Sequence, residues 1–307
     1  MSARPRVIVI GAGLAGLTAA DALRRAGLAP VVLEKSRGIG GRLATRRTRE
    51  GLSFDHGAPI VHARPAAFAD RIDRAAAGLD AAPWRDGFVG LPGMSALPKP
   101  LAAGLEIRFE TEAESVVAES AGVVVRTAAG GRLRAEGVVV TAPAPQTLRL
   151  CAAVAPIARA AAGARMAPCW TLMTAFDAPL DAPDVIEAAE GPLRLAIRQG
   201  TRPGREPAPE RWVAHAAPDW SRASLERERD QVLPDLLSAF AALTGADRRP
   251  TQAAAHRWRY ARVGAAVGAP SVREGRVVAA GDWLLGAEAG DACASGLAAA
   301  EAVIAAL

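Results

Sequence analysis

Val7-Ile8-Val9-Ile10 is an unbroken apolar run of strand length that ends on a glycine. Apolar positions then recur at helical spacing, at Leu14, Leu17, Ala20 and Leu23, and stop at Gly27. This change of period predicts strand, tight turn and helix in succession. Residues 30–34 form a second apolar run closed by Glu34. Residues 64–78 carry a helical pattern. Residues 83–100 hold Pro83, Pro92, Pro98 and Pro100 among several glycines, which predicts a loop or a crossover. Residues 105–117 and 122–128 alternate like paired strands, 132–141 adds another strand ending at Thr141-Ala142-Pro143, and a helix follows near 145–154.

The middle of the chain changes character. Trp170 to Phe176, Leu193 to Arg198 and Arg211 to Ala216 are short strands between Pro-, Gly- and Asp-rich turns, which predicts an antiparallel sheet. Residues 224–243 predict an amphipathic helix that Pro234 either kinks or starts. Ala255 to Arg262 is another strand. Val277 to Ala280 returns to the buried-strand pattern, and a final helix is expected from about Asp291 to Ala306, with Asp291 as its N-cap. The stretch 200–210 reads as the most mobile loop.

With 307 residues, half of them hydrophobic, the chain has material for one large or two intimately joined domains. No apolar run approaches the ~18 residues of a membrane span, so no membrane association is expected. The net charge is +5 and the pI about 9.8. Lys35 and Lys99 are the only lysines, and the arginines are scattered without interleaved aromatics, which argues against nucleic-acid binding. Some arginines remain available to a phosphate-bearing substrate. Cys151, Cys169 and Cys293 are widely spaced with no Cys-x-x-Cys, which fits a reducing compartment and no structural zinc. The first strand begins almost at once, leaving no room for a signal peptide; a cytoplasmic protein is expected. Four dispersed histidines lack metal-ligand spacing, and no Gly-x-Ser-x-Gly elbow is present.

The chemistry is concentrated at the first turn, Gly11-Ala12-Gly13-Leu14-Ala15-Gly16. Gly11 permits the tight turn, Gly13 lets backbone approach a pyrophosphate, and Gly16 lets the helix pack on the strand. The helix N-terminus offers N–H groups and a positive dipole end to phosphate. Glu34 stands where a carboxylate accepts from ribose hydroxyls. In Glu34-Lys35-Ser36-Arg37-Gly38-Ile39-Gly40-Gly41-Arg42, Gly41 again admits close approach and Arg42 supplies a guanidinium. With nucleotide-binding halves at both chain ends, these features predict an α/β fold: a Rossmann-type domain carrying an inserted antiparallel-sheet substrate domain.

Glu34-x5-Gly40-Gly41-Arg42, together with Gly281-Asp282-Trp283 and Ser295-Gly296, resembles the FAD-dependent amine oxidase superfamily. Phe54-Asp55-His56-Gly57-Ala58, Pro92-Gly93-Met94, Thr141-Ala142-Pro143 and His256-Arg257-Trp258 make its renalase-like branch the nearer likeness. The resemblance implies a hydroxybenzoate-hydroxylase-like FAD domain over residues 1–63, 101–165 and 263–307, and a substrate domain over 64–100 and 166–262. It implies FAD held non-covalently by Gly11, Gly13, Leu14, Ala15, Gly16, Glu34, Lys35, Gly41, Arg42, His56, Gly57, Ala58, Asp282, Ser295 and Gly296, with backbone of Val116 or Val117 on the adenine. It implies hydride transfer from a small reduced substrate, a dihydronicotinamide isomer among the candidates, and reoxidation by molecular oxygen. His256 is the candidate chemical group, Trp258 and Met94 are substrate candidates, and His62 is placed near the flavin by motif. Lys99 near the flavin and Cys293 as a reactive thiol are weaker alternatives to structural roles, and Trp283 divides between cavity wall and core. Pro59-Ile60-Val61 departs from the Gln-Tyr-Phe common in that branch. It puts the substrate in doubt and keeps a non-catalytic flavin-binding protein open, while the rival enzyme is an amine oxidase or desaturase on the same scaffold.

Overall fold

The computed structural model describes residues 6–307. Arg6–Ile10 lies inside a six-stranded sheet, between Gly137–Val140 and Ala29–Leu33, both parallel to it. Glu106–Arg108 extends one side and Val277–Ala279 the other, with Val272–Glu274 antiparallel at the edge. Strands buried on both faces need continuous apolar runs, and alternation divides them. Val7 and Val9 face a core with helices Leu14–Arg25 and Ala289–Ile304. Ile8 and Ile10 face a second core, beneath the small sheet formed by Ala113–Glu119, Gly122–Thr127 and Arg132–Ala135. The two ends of the chain therefore meet in one sheet, as the apolar pattern predicts. Their helices pack closely because the contact residues are small: a Cβ on Gly296 would stand 2.3 Å from the Ala15 carbonyl oxygen.

The second sheet is antiparallel, in the order Val185–Glu187, Leu193–Arg198, Glu210–Ala216, Arg165–Phe176, Gln252–Ala265. One face buries Trp170, Phe176 and Trp212 against helix Arg229–Thr244. The other face looks toward the parallel sheet.

Several expectations need correction. Residues 83–100 are not simply loop: Ala81–Trp84 and Gly87–Gly90 form a hairpin, turned by Arg85 at φ +53°. The alternating run at 105–117 divides, its start joining the parallel sheet and its end the small one. The predicted 224–243 helix begins at Arg229, where Glu228 and Gln231 cap it reciprocally, and Pro218–Ala223 is a separate helix. The closing helix is capped by Glu288 rather than Asp291, which returns a bond to the Glu288 N–H at 3.0 Å. The loop at 200–210 is pinned, because Arg202 and Arg205 both enter the interior and pair with Asp55.

Candidate functional site

A cleft of about 2600 Å3 runs between the two sheets. One end is built from glycine. Gly11, at φ +104°, turns the chain and donates to the Leu33 carbonyl at 2.8 Å. Gly16 admits no side chain, since a Cβ there would lie 2.0 Å from the Gly11 oxygen. Gly13 differs: a Cβ on it meets nothing within 4 Å, because that direction is cleft. Gly13 caps helix Leu14–Arg25 with no side-chain bond, leaving the first-turn N–H groups without a side-chain acceptor. The Gly40 N–H donates to the Ala12 carbonyl at 2.8 Å, and a Cβ on Gly41 would stand 3.4 Å from Gly13 Cα. The two glycine motifs thus form one bare wall of backbone with a helix dipole behind it, a cradle suited to pyrophosphate.

Glu34 accepts the N–H groups of Ala12 and Ser36, each at 2.8 Å. It therefore organises the turn as well as presenting a carboxylate to the cleft. Glu34→Ala is expected to weaken flavin nucleotide binding by about 1.5–3 kcal/mol, the range for a hydrogen bond to a charged group. Fluorescence titration checks this; unchanged affinity removes Glu34 from the site. Arg42 and Asp282, expected as separate ligands, hold each other through two bonds at 2.7 and 2.8 Å. Arg42 also reaches the Ala261 carbonyl at 3.1 Å. The aspartate is buried and the guanidinium is partly exposed to the cleft.

The opposite wall is aromatic. His256 and Trp258 alternate along Gln252–Ala265 and so share a face. Their ring centroids are 4.5 Å apart, and the His56 ring lies 4.8 Å from His256 and 4.9 Å from Trp258. The Trp258 indole N–H donates to the His56 carbonyl at 2.8 Å. His215, which the sequence reading did not single out, also lines the cleft. Its signal was available: Trp212, Ala214 and Ala216 point into the helix-side core, so His215 must point the other way. His56 Nδ1, His256 Nδ1 and His215 Nε2 are buried without hydrogen-bond partners.

Burial pushes His56 down to about 4, aided by the Arg46 charge. Burial brings His215 to about 4, with Arg202 adding to it. His256 falls to about 3, through burial and then the charges of His56 and Arg46. Unfolded histidines protonate near pH 6.5. Between 6.5 and 4 the unfolded chain binds more protons than the folded one, so stability rises with pH there. This stability is complete above about pH 6.5 and is lost as pH falls toward 4. His62 acts in the opposite sense. Its bond to Glu288 raises it, so its contribution is full below 6.5 and fades as pH rises through the folded value. The urea midpoint is expected to fall between pH 7 and pH 5, with His215 alone carrying on the order of 1–3 kcal/mol. A flat profile over that window contradicts the burial of neutral imidazoles.

The other candidates separate by position. Leu14, Ala15, Lys35, Gly57 and Ala58 line the cleft. Gly57 does so with its Cα hard against Arg42, where a Cβ would lie 2.1 Å from the Arg42 oxygen. Val116 and Val117 lie away from it; the small sheet meets the cleft earlier, at Glu112, Ala113 and Glu114, and the Val116 side chain is core. Ser295 is buried, accepting from the Gly281 N–H at 2.8 Å and donating to the Pro270 carbonyl at 2.6 Å. Gly296 serves helix packing. Met94 is core, its N–H on Asp55 at 2.9 Å. Lys99 is exposed on a short helix outside the cleft. Trp283 and Cys293 are fully buried packing residues. His62 sits on the cleft lining, bonded to Glu288 at 2.9 Å.

Eleven arginines and one lysine line the cleft against seven carboxylates, so its field is positive. Among the described residues no cluster of His, Cys, Asp and Glu is placed to hold a metal ion, and no helix is long and apolar enough to cross a membrane.

Comparison with known proteins places this geometry. A 56-residue segment is 50% identical to lysine-specific histone demethylase 1 homolog 3 of Arabidopsis thaliana, covering 18% of this chain and 3% of that protein. A 56-residue segment is 48% identical to 4,4'-diapolycopene oxygenase of Methylomonas sp, covering 18% and 11%. Those matches span only a small part of either relative. The whole fold superposes on a chain from Exiguobacterium sp. 255-15 assigned as a protoporphyrinogen oxidase, with TM-score 0.79 and 15% identity over 99% of both chains. It also superposes on putrescine oxidase bound to putrescine, with TM-score 0.66 and 12% identity over 98% and 99%. At these identities the likeness is one of fold. Residues 9–72 match an NAD(P)-binding Rossmann-like domain. Residues 84–304, most of the chain, match the flavin containing amine oxidoreductases, and the chain belongs to that family.

Proposed function

We propose that this chain binds FAD non-covalently and oxidises a small dihydronicotinamide-type substrate, in the manner of the renalase-like branch. Family membership supports a flavin oxidoreductase. The observation that carries the finer reading is the set of neutral histidines on a cleft wall within an arginine-rich field. That field disfavours a protonated amine and favours a phosphate-bearing molecule. With a value of about 3, His256 is a poor proton acceptor at neutral pH. A substrate that gives up only a hydride asks for no base, whereas an ammonium must first lose a proton.

The bound flavin would supply the chemistry, accepting hydride from a substrate carbon and passing two electrons with protons to oxygen as hydrogen peroxide. The protein's part is placement. The Gly11–Gly16 turn and Gly41 are proposed to cradle the pyrophosphate, with Glu34 on the ribose and the backbone near Ala113 beside the adenine. Arg42, oriented by Asp282, presents its free N–H groups to the cleft. Trp258 and His256 wall the substrate side, His256 as a hydrogen-bonding group rather than a base. Residues 1–63, 101–165 and 263–307 would serve the flavin, and 64–100 and 166–262 the substrate. Unpaired cysteines suit a reducing compartment such as the cytoplasm.

An amine oxidase or desaturase is the second reading, supported by the family's name and the putrescine-bound neighbour. Mixing the yellow protein anaerobically with reduced nicotinamide isomers and, separately, with primary amines distinguishes the two. Rapid bleaching by the nicotinamides alone is expected. Bleaching by amines alone reverses the order, and bleaching by neither, nor by any metabolite tried, leaves a non-catalytic flavin-binding protein.

A further inference from the structure

Thr45–Arg47 and Ser53–Asp55 form a two-stranded ribbon in which Arg46 stands opposite Phe54. Directly opposed residues point to the same face. Phe54 packs on Met173, Val213 and Ala254 of the antiparallel sheet, so Arg46 faces that sheet too, and it lines the cleft there. Ala254 and His256 are two apart on one strand and share a face. The ribbon therefore sets Arg46 beside the stretch of wall that carries His256.

Arg229 comes to the same stretch around the edge of the sheet. Gln252–Ala265 is its edge strand. The Arg257 guanidinium donates to the carbonyls of Leu225 at 2.7 Å and Arg227 at 3.2 Å, which ties the connecting loop to that edge. Helix Arg229–Thr244 starts two residues later, with Arg229 on the cleft lining. Burial lowers His256 first, and both Arg46 and Arg229 are among the charges that lower it further; the two guanidinium groups are felt at one ring.

The neighbouring arginines are committed: Arg42, Arg227 and Arg259 each pair with a carboxylate. Arg46 and Arg229 have no such partner among the described residues. The acids near them are turned elsewhere. Glu226 holds Arg259 through two bonds, Glu228 caps its helix, Glu50 is exposed in the ribbon's turn beside Arg49, and Asp230 is exposed and off the cleft lining. Two unpaired cations in a cleft attract an anion, and guanidinium forks match phosphate oxygens two at a time. A phosphate monoester brings a charge of about −1.5 to −2 and acceptor oxygens for both.

Building on the dihydronicotinamide reading, we propose that Arg46 and Arg229 form a phosphate subsite at the substrate end of the cleft, which takes the phosphate of a nicotinamide nucleotide and so selects nucleotide over nucleoside. It is separate from the glycine cradle proposed for the flavin's own pyrophosphate.

Nicotinamide mononucleotide and nicotinamide riboside differ by one phosphate, and calorimetry on the flavin-loaded protein reads their affinities without turnover. The wild type is expected to bind the nucleotide about tenfold or more tighter, with a preference that shrinks as salt is raised. Arg46→Gln and Arg229→Gln each remove most of that preference and leave riboside affinity unchanged. Arg46→Lys, which keeps a point charge, retains part of it. Arg194→Gln controls for a diffuse field, since Arg194 lines the same cleft three strands away from His256; it keeps the preference. With the reduced compounds, KM for the nucleotide rises about tenfold in Arg46→Gln while kcat changes less than twofold. A preference untouched by both glutamine variants, an equal loss in Arg194→Gln, or loss of bound FAD in Arg46→Gln overturns the subsite; continued oxidation of reduced nicotinamides then leaves the redox reading standing. An arginine-dependent preference with no oxidation of any reduced isomer does the reverse. Absence of both binding and oxidation overturns both.

Discussion

Gly13→Val is expected to give a folded, colourless protein. A Cβ on Gly13 meets no protein atom within 4 Å, so the chain itself tolerates the side chain. The occupied space is the cleft beside Gly41 and the uncapped helix N-terminus, where the pyrophosphate is proposed to lie. Close approach of phosphate to backbone N–H groups is the reason such turns are glycine. The loss should therefore fall on cofactor affinity, by at least a hundredfold, and little on the stability of the apoprotein. Gly16→Val, three residues on, is expected to do the opposite. Its Cβ would sit 2.0 Å from the Gly11 oxygen and 2.7 Å from Thr141 Oγ1. The helix could not close onto the sheet, and the protein should fail to accumulate. Visible spectra and urea unfolding of the two variants check the contrast. A yellow Gly13→Val protein with normal affinity contradicts the placement.

Asp55→Ala should be the most damaging substitution for stability outside the glycines. The Asp55 carboxylate is buried and pairs with Arg202, itself fully buried, at 3.0 Å, and with Arg205. Thr45 donates to it at 2.6 Å and the Met94 N–H at 2.9 Å. Burial alone would raise the carboxyl; Arg205, Arg202 and Thr45 outweigh it and hold it below the usual carboxylate range. Burial brings Arg202 down to about 10, so it stays charged near neutrality. The alanine leaves two buried cations with no counter-charge. Breaking one buried pair this way costs about 3–5 kcal/mol, a large part of the ~5–15 kcal/mol typical of a folded protein. Adding Arg202→Met should recover part of the loss, since the side chain packs on Trp84, 4.9 Å from its guanidinium. Urea unfolding checks both variants. An Asp55→Ala protein within about 1 kcal/mol of wild type would show that the cluster is not what ties 200–210 to the antiparallel pair Thr45–Arg47 and Ser53–Asp55.

The parallel sheet was legible because its strands are buried on both faces and read as plain apolar runs. The glycine turn was legible because three positions have steric reasons to lack a side chain. The antiparallel half was legible as strands, though its pairing hides two things. His215 comes beside His256 only through Thr171, 44 residues from one and paired across the sheet to the other. Arg202 and Arg205 sit in a Pro/Gly stretch that looks mobile, and only the fold brings Asp55 beneath them. Ser295, Gly296 and Met94 read as site residues in the sequence because their motifs sit beside ones that line the cleft. Packing explains all three: Ser295 and Gly296 contact backbone next to the site, and Met94 is buried with its N–H on the Asp55 carboxylate.

The most direct test of the account is the visible spectrum of the purified protein, followed by acid precipitation and mass measurement of whatever is released. The account predicts flavin absorbance in the native protein and intact FAD in the supernatant. A well-folded protein that stays colourless after incubation with excess FAD would contradict it.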